Sequence, residues 1–138
     1  MTIILHQKQK LLPDLCQLTL VLSSPNNYKM IKKSAILDTG FSGYLAISKK
    51  EATKFQLPKI GESKTILANN SSVPTPIHKA KVSFMSLAEE ADFLIPVNVY
   101  DKPIDWCLGL KLINLFATRN EARFVLDFQK QVLLFETN

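Results

Sequence analysis

The apolar residues of this chain recur at every second position, and that period limits its fold more than any single motif. In LCQLTLVL (residues 15–22), Leu18, Leu20 and Leu22 alternate with Thr19 and Val21. Successive side chains of a strand point to opposite faces, so the three leucines share one buried face. SSPNN (23–27) supplies a turn by composition, and YKMIKKSAILD (28–38) reads as the returning arm of a hairpin. GYLAI (43–47), KTILA (64–68), VPTPIHKAKVSF (73–84) and FLIPVNVY (93–100) are further extended stretches, and RFVLDF and QVLLFE around QKQ form a terminal hairpin. Pro74 and Pro76 cannot donate ladder hydrogen bonds, which predicts an edge or partly detached strand there. Helical signals are few. Ser48 with Glu51 three residues on makes a capping box, and Pro58 closes that element. After Gly109, the spacing of Leu110, Ile113 and Phe116 predicts a second short helix. The expectation is an all-β fold with one or two short helices, in a single domain over residues 1–138.

Composition excludes several functions. At 46% hydrophobic and 21% charged residues, the chain has enough apolar material for a core and is unlike a disordered tail. No stretch approaches the roughly 18 unbroken apolar residues of a membrane span. Ile3, Ile4 and Leu5 are too short an apolar run for a secretory signal, so a cytoplasmic location is expected, with Cys16 and Cys107 as reduced, buried structural thiols. The net charge of +5 comes from 15 Lys and 2 Arg scattered along the chain against 12 acidic residues. Nucleic-acid readers cluster Arg and basic stripes, so solubility is the better reading of this charge. His6 and His78 have no second ligand at metal spacing, and no G-x-S-x-G elbow or glycine-rich phosphate loop is present. No metal or cofactor is expected.

One stretch departs from the alternating pattern. AILDTGFSGYLAI (35–47) sets Asp38 between apolar flanks, which predicts a partly buried carboxylate in need of a partner. The chain has only four glycines, and Gly40, Gly43 and Gly109 lie where apolar strands end abruptly, as positive φ or close backbone approach requires. Asp-Thr-Gly alone is a weak motif. The alternative reading is a strand-ending turn whose Asp caps nearby backbone N–H groups. Asp105 and Asp127 read as solvated, and Trp106 as a core or interface anchor.

The order ILDTGFSG, a strand, a polar-tipped hairpin, and an apolar-apolar-Gly turn into a short helix resembles the retropepsin-like aspartic proteases, particularly their small bacterial members, from about residue 15 onward. The resemblance implies a closed acid-protease barrel and an endopeptidase whose catalytic carboxylate is Asp38. It implies that Thr39 hydrogen-bonds across a two-fold axis and that Gly40 presents its N–H to Asp38. It places the apolar-apolar-Gly element on Cys107, Leu108 and Gly109, and a flap on residues 64–81 with Asn69, Asn70, Ser71 and Ser72 at its substrate-binding tip. One motif is half an active site, so a homodimer acting on an extended peptide or protein is implied.

Two departures leave alternatives open. The flap stretch holds no glycine, and Phe41 follows the motif where viral members carry a small residue, filling either a core pocket or the cleft. Both are compatible with a catalytically silent dimerisation or peptide-binding module of the same fold. A small nucleic-acid-binding β-barrel is a weaker third reading, because Tyr28, Tyr44 and Phe55 are not interleaved with Lys or Arg at strand spacing.

Overall fold

A computed structural model describes residues 2–8 (backbone only), 16–66, 68–84, 93–130 and 132–137. In chain order these form β1 (Thr2–Lys8), β2 (Gln17–Ser23), β3 (Met30–Leu37), β4 (Leu45–Ser48), α1 (Lys49–Lys54), β5 (Lys59–Ile66), β6 (Ser72–Phe84), β7 (Phe93–Tyr100), β8 (Trp106–Leu108), α2 (Leu110–Arg119), β9 (Arg123–Asp127) and β10 (Val132–Thr137).

The leucine alternation does what its period requires: Leu18, Leu20 and Leu22 are fully buried along β2, which returns antiparallel as β3. The strands run β2-β3-β8-β4-β7-β6, and β6 pairs back with β2, closing a six-stranded barrel. Closure removes the open edges that a flat sheet of this size would expose. Two of the pairings, β3–β8 and β4–β7, are parallel. β5 pairs with β6 outside the ring, and β1, β10 and β9 make a separate three-stranded sheet.

β6 has two roles. Its first half, containing Pro74 and Pro76, pairs with β5; from Ile77 to Phe84 it is a barrel strand held by β7 and β2. The edge character expected from the prolines therefore applies to the first half alone. Three boundaries also differ from the sequence reading. β1 was not anticipated, because Ile3, Ile4 and Leu5 are consecutive and do not alternate. β4 covers residues 45–48 and is buried on both faces, as a strand between two others in a barrel wall must be. In α2 the inward residues are Leu112, Ile113 and Phe116, whereas Leu110 in the first turn is exposed.

Phe116 on α2 joins the two sheets. Its ring lies 4.9 Å from Phe84 of β6, 5.8 Å from Phe93 of β7 and 4.5 Å from Phe135 of β10, in edge-to-face arrangements. Such pairs add about 0.5–1.5 kcal/mol each beyond their area burial.

The helix start is satisfied as expected, with a second duty. Ser48 Oγ accepts the Glu51 N–H at 3.4 Å and donates to Glu51 Oε1 at 3.1 Å. The same carboxylate accepts the indole N–H of fully buried Trp106 at 2.9 Å and pairs with Lys33 at 3.4 Å, whose ammonium also lies over the Trp106 ring. Glu51→Ala should therefore lower stability by about 2–3 kcal/mol in chemical denaturation, because it strands a buried indole donor. Glu51→Gln, which keeps an acceptor, should lose less.

Candidate active site

Asp38 follows the last residue of β3. Its N–H donates to the Leu108 carbonyl of β8 at 2.9 Å, and its own carbonyl accepts the Phe41 N–H at 3.1 Å, so Thr39 and Gly40 occupy the centre of a tight turn. The Gly40 N–H donates to Asp38 Oδ1 at 2.9 Å. The turn is tied to β8 by its backbone, and the carboxylate is held by the turn.

The carboxylate is not buried in the single chain, contrary to expectation: Asp38, Thr39 and Gly40 are all exposed. β3 stops at Leu37, and the turn carries the side chain out of the sheet while Ile36, Leu37 and Phe41 stay half-buried beside it. None of the glycines has positive φ. Close approach instead demands glycine at position 109 and crowds position 43, whereas Gly40 is only tight and Gly61 is open. A Cβ on Gly40 would lie 3.3 Å from Asp38 Oδ1, one on Gly43 would lie 2.5 Å from Phe41 Cζ and 2.8 Å from Asn98 Oδ1, and one on Gly109 would overlap the Gly43 carbonyl oxygen. The Gly109 N–H also donates to the Tyr44 carbonyl at 3.0 Å. Phe41 therefore lays its half-buried ring against Gly43 and Gly109, beside the Asp38 turn and outside the buried core cluster.

Cys107, opposite Ile36 in the parallel pair, is half-buried, as is Cys16, and the two form no disulfide. Burial raises the Cys107 pKa first, with further contributions from the carboxylates of Asp38 and Asp105. The sequence read Cys107 as an inert apolar position; nothing in its spacing revealed Asp38 as an electrostatic neighbour.

The residues 69–72 lie at the far end of the β5–β6 hairpin, where Ile66 pairs with Ser72. Asn70 takes φ 64°, the left-handed conformation that glycine would otherwise supply, and Asn69 Oδ1 accepts the Ser71 N–H at 3.1 Å. The hairpin is also longer than residues 64–81 and is not glycine-free: Gly61 sits at the register shift near its root. Among the described residues no hydrogen bond joins this tip to the Asp38 turn. Prolines 74 and 76 lie opposite Lys64 and Glu62. Lacking an N–H, they occupy the pairs that exchange no hydrogen bonds, and their backbone faces away from β5.

A cavity of about 810 Å³ lies between α1, the hairpin and residues 101–104, and none of Asp38, Thr39 or Gly40 lines it. His78, on its wall, hydrogen-bonds through Nδ1 to the Leu57 carbonyl at 2.8 Å. Among the described residues no three His, Cys, Asp or Glu side chains converge as a metal site. Among the described residues no helix is long and apolar enough to cross a membrane.

With this geometry in view, the chain compares with a retropepsin-like aspartic protease from Rickettsia conorii at a TM-score of 0.51, covering 91% of this chain and 97% of that one. The fold is retropepsin-like. Identity over that match is 16%, so the likeness establishes architecture, and the chemistry has to come from the residues of this chain. No protein-family profile matches the sequence, and neither does any curated protein. In the retropepsin-like barrel the Asp38 turn and the Gly109 turn are neighbours through Leu108, as their hydrogen bond records.

Two outcomes follow. Gly109→Ala should destabilise the fold by about 3 kcal/mol or more in thermal or denaturant unfolding, since a methyl cannot share space with the Gly43 carbonyl. Cys107 alkylation, followed by mass spectrometry to separate it from Cys16, should have a pH profile displaced to the alkaline side, and Asp38→Asn should move it part of the way back. The raised thiol pKa means that the folded state holds its proton longer than the unfolded chain. The associated stability is thus complete below the ordinary value of 9.0 and is lost as pH rises through the folded value.

Proposed function

We propose that this chain is an aspartic endopeptidase of the retropepsin-like family, active as a homodimer in which two Asp38 carboxylates, one from each subunit, hold the attacking water. The observation that carries the reading is the exposed Asp38 carboxylate on a turn pinned to the Leu108 carbonyl and braced by the Gly40 N–H, in a retropepsin-like barrel. A solvated lone Asp is a poor acid and a poor base at neutral pH. Two of them in contact share one proton, because like charges a few ångströms apart cannot both ionise easily. The ionised member takes a proton from the water, the protonated member polarises the peptide carbonyl, and the water adds to the carbonyl carbon. The tetrahedral diol then collapses, the C–N bond breaks, and the leaving nitrogen takes a proton from the pair. No acyl-enzyme forms.

In this reading Thr39 bonds to the partner's turn, Gly40 keeps the Asp38 carboxylate in register, and the hairpin tip at Asn69, Asn70, Ser71 and Ser72 closes over an extended substrate. The whole chain would act as one catalytic domain, with no metal or cofactor. Of the two features that favoured a silent module, the lack of glycine at the flap tip carries less weight against turnover, because Asn70 supplies the turn conformation.

The test is digestion of a diverse peptide mixture between about pH 4 and 7, where a coupled carboxylate pair is half-protonated. Cleavage by wild type should rise faster than linearly with protein concentration when dilute, and Asp38→Asn should reduce it by at least about a thousandfold. Folding stability of Asp38→Asn should stay within about 0.5 kcal/mol of wild type, because the residue is exposed. Equal cleavage by both proteins would overturn the reading.

A further inference from the structure

The cavity between α1, the β5–β6 hairpin and residues 101–104 is built from parts far apart in the chain. Its apolar wall comes from Ala52, Val73, Pro74, Pro76, Val99 and Ile104. Its charged rim holds three lysines and two carboxylates. Lys49 is matched by Asp101 at 3.4 Å and Lys59 by Glu62 at 2.8 Å. Lys102 is exposed and makes no ion pair among the described residues. The hydroxyls of Thr65 and Thr75 are hydrogen-bonded to each other. Beside the polar groups of Thr53, Tyr100 and His78, the lining offers an aliphatic wall and an ammonium, that of Lys102, with no ion-pair partner among the described residues. A volume of about 810 Å³ falls in the range of ligand pockets, roughly 300–1,000 Å³.

The backbone narrows the occupant further. From residue 72 to residue 76, β6 has no second neighbour among the described strands, since its pairing with β7 begins at Ile77. Pro74 and Pro76 turn their carbonyls to that open side and have no N–H to place there. Such an edge accepts hydrogen bonds and donates none at these two positions. A peptide can supply donors to it; an acyl chain cannot.

We infer that this cavity is a specificity site for a peptide segment that sets an aliphatic side chain beside a carboxylate, with Lys102 reading the acid. The choice of a peptide as occupant rests on the endopeptidase reading, while the recognition itself uses none of the Asp38 chemistry. The aliphatic group displaces water from the apolar wall, and the neighbouring carboxylate meets the ammonium at the mouth, where salt screens it.

Binding is measured on the Asp38→Asn protein, so that nothing is consumed, by fluorescence anisotropy of short peptides carrying an uncharged fluorophore and differing only in a Leu-Glu, Leu-Gln or Leu-Lys pair. The Leu-Glu peptide should bind about threefold tighter than Leu-Gln at low salt, the size expected of a half-exposed ion pair. Lys102→Glu should reverse the order so that Leu-Lys binds best, Lys102→Arg should preserve it, and Val73→Trp should weaken all three by filling the wall. Absence of a preference, absence of binding, or a preference unchanged in Lys102→Glu would overturn the inference. Lys102 is exposed, so its variants fold. A Lys102-dependent preference with no cleavage by wild type would sink the endopeptidase reading alone; cleavage by wild type with no acid preference would sink the specificity site alone.

Discussion

The barrel closes through a strand of three residues. β8 lies parallel to β3 on one side and antiparallel to β4 on the other, so Trp106, Cys107 and Leu108 carry the pairing that joins the two parts of the wall. The contact that makes this possible is the approach of Gly109 to the Gly43 carbonyl, which leaves no room for a side chain. The same three residues serve different ends in sequence: Trp106 is held by Glu51, Cys107 lies within the electrostatic reach of Asp38, and Leu108 gives its carbonyl to the Asp38 N–H. Position of the carboxylate and closure of the barrel are thus one geometric problem with one solution.

Charge is distributed unevenly around that solution. On the Glu51 side, a largely buried carboxylate is matched by an indole, a hydroxyl and an ammonium, so every lone pair turned inward has a donor. Asp38 has a single N–H donor within its own turn and otherwise faces out. The proposed two-carboxylate mechanism requires each carboxylate to be left this open, with room for a second one to approach.

Much of the barrel was legible because period two is a local property. Leu18, Leu20 and Leu22 announce β2 without any knowledge of their partners, and Ser48 with Glu51 announces α1. What failed was whatever depends on partners. β1 is a strand because β10 pairs with it, and its Ile-Ile-Leu run carries no alternation. Leu110 fits the helical spacing as well as Leu112 does, and only the direction from which the barrel meets α2 separates them. At the site, the turn and its glycines were readable from AILDTGFSG, but the exposure of Asp38 was not, since apolar neighbours in sequence are not neighbours on all sides in space. The cavity left no sequence signal at all: Lys49, Glu62, Val73 and Lys102 belong to four different segments.

The parallel pairing of β3 with β8 also bears on how the chain reaches this structure. Ile36 sits opposite Cys107 and Leu45 opposite Val97, contacts between segments far apart in sequence, where closing the intervening loop must be met before any pairing rewards it. The β2–β3 and β5–β6 hairpins can form early from local contacts, whereas the acceptor for the Asp38 N–H arrives only with β8. A nascent chain released short of Leu108 would hold most of its hairpins but lack the carbonyl that anchors the Asp38 turn to the barrel, so the Asp38 carboxylate takes its final position late in folding.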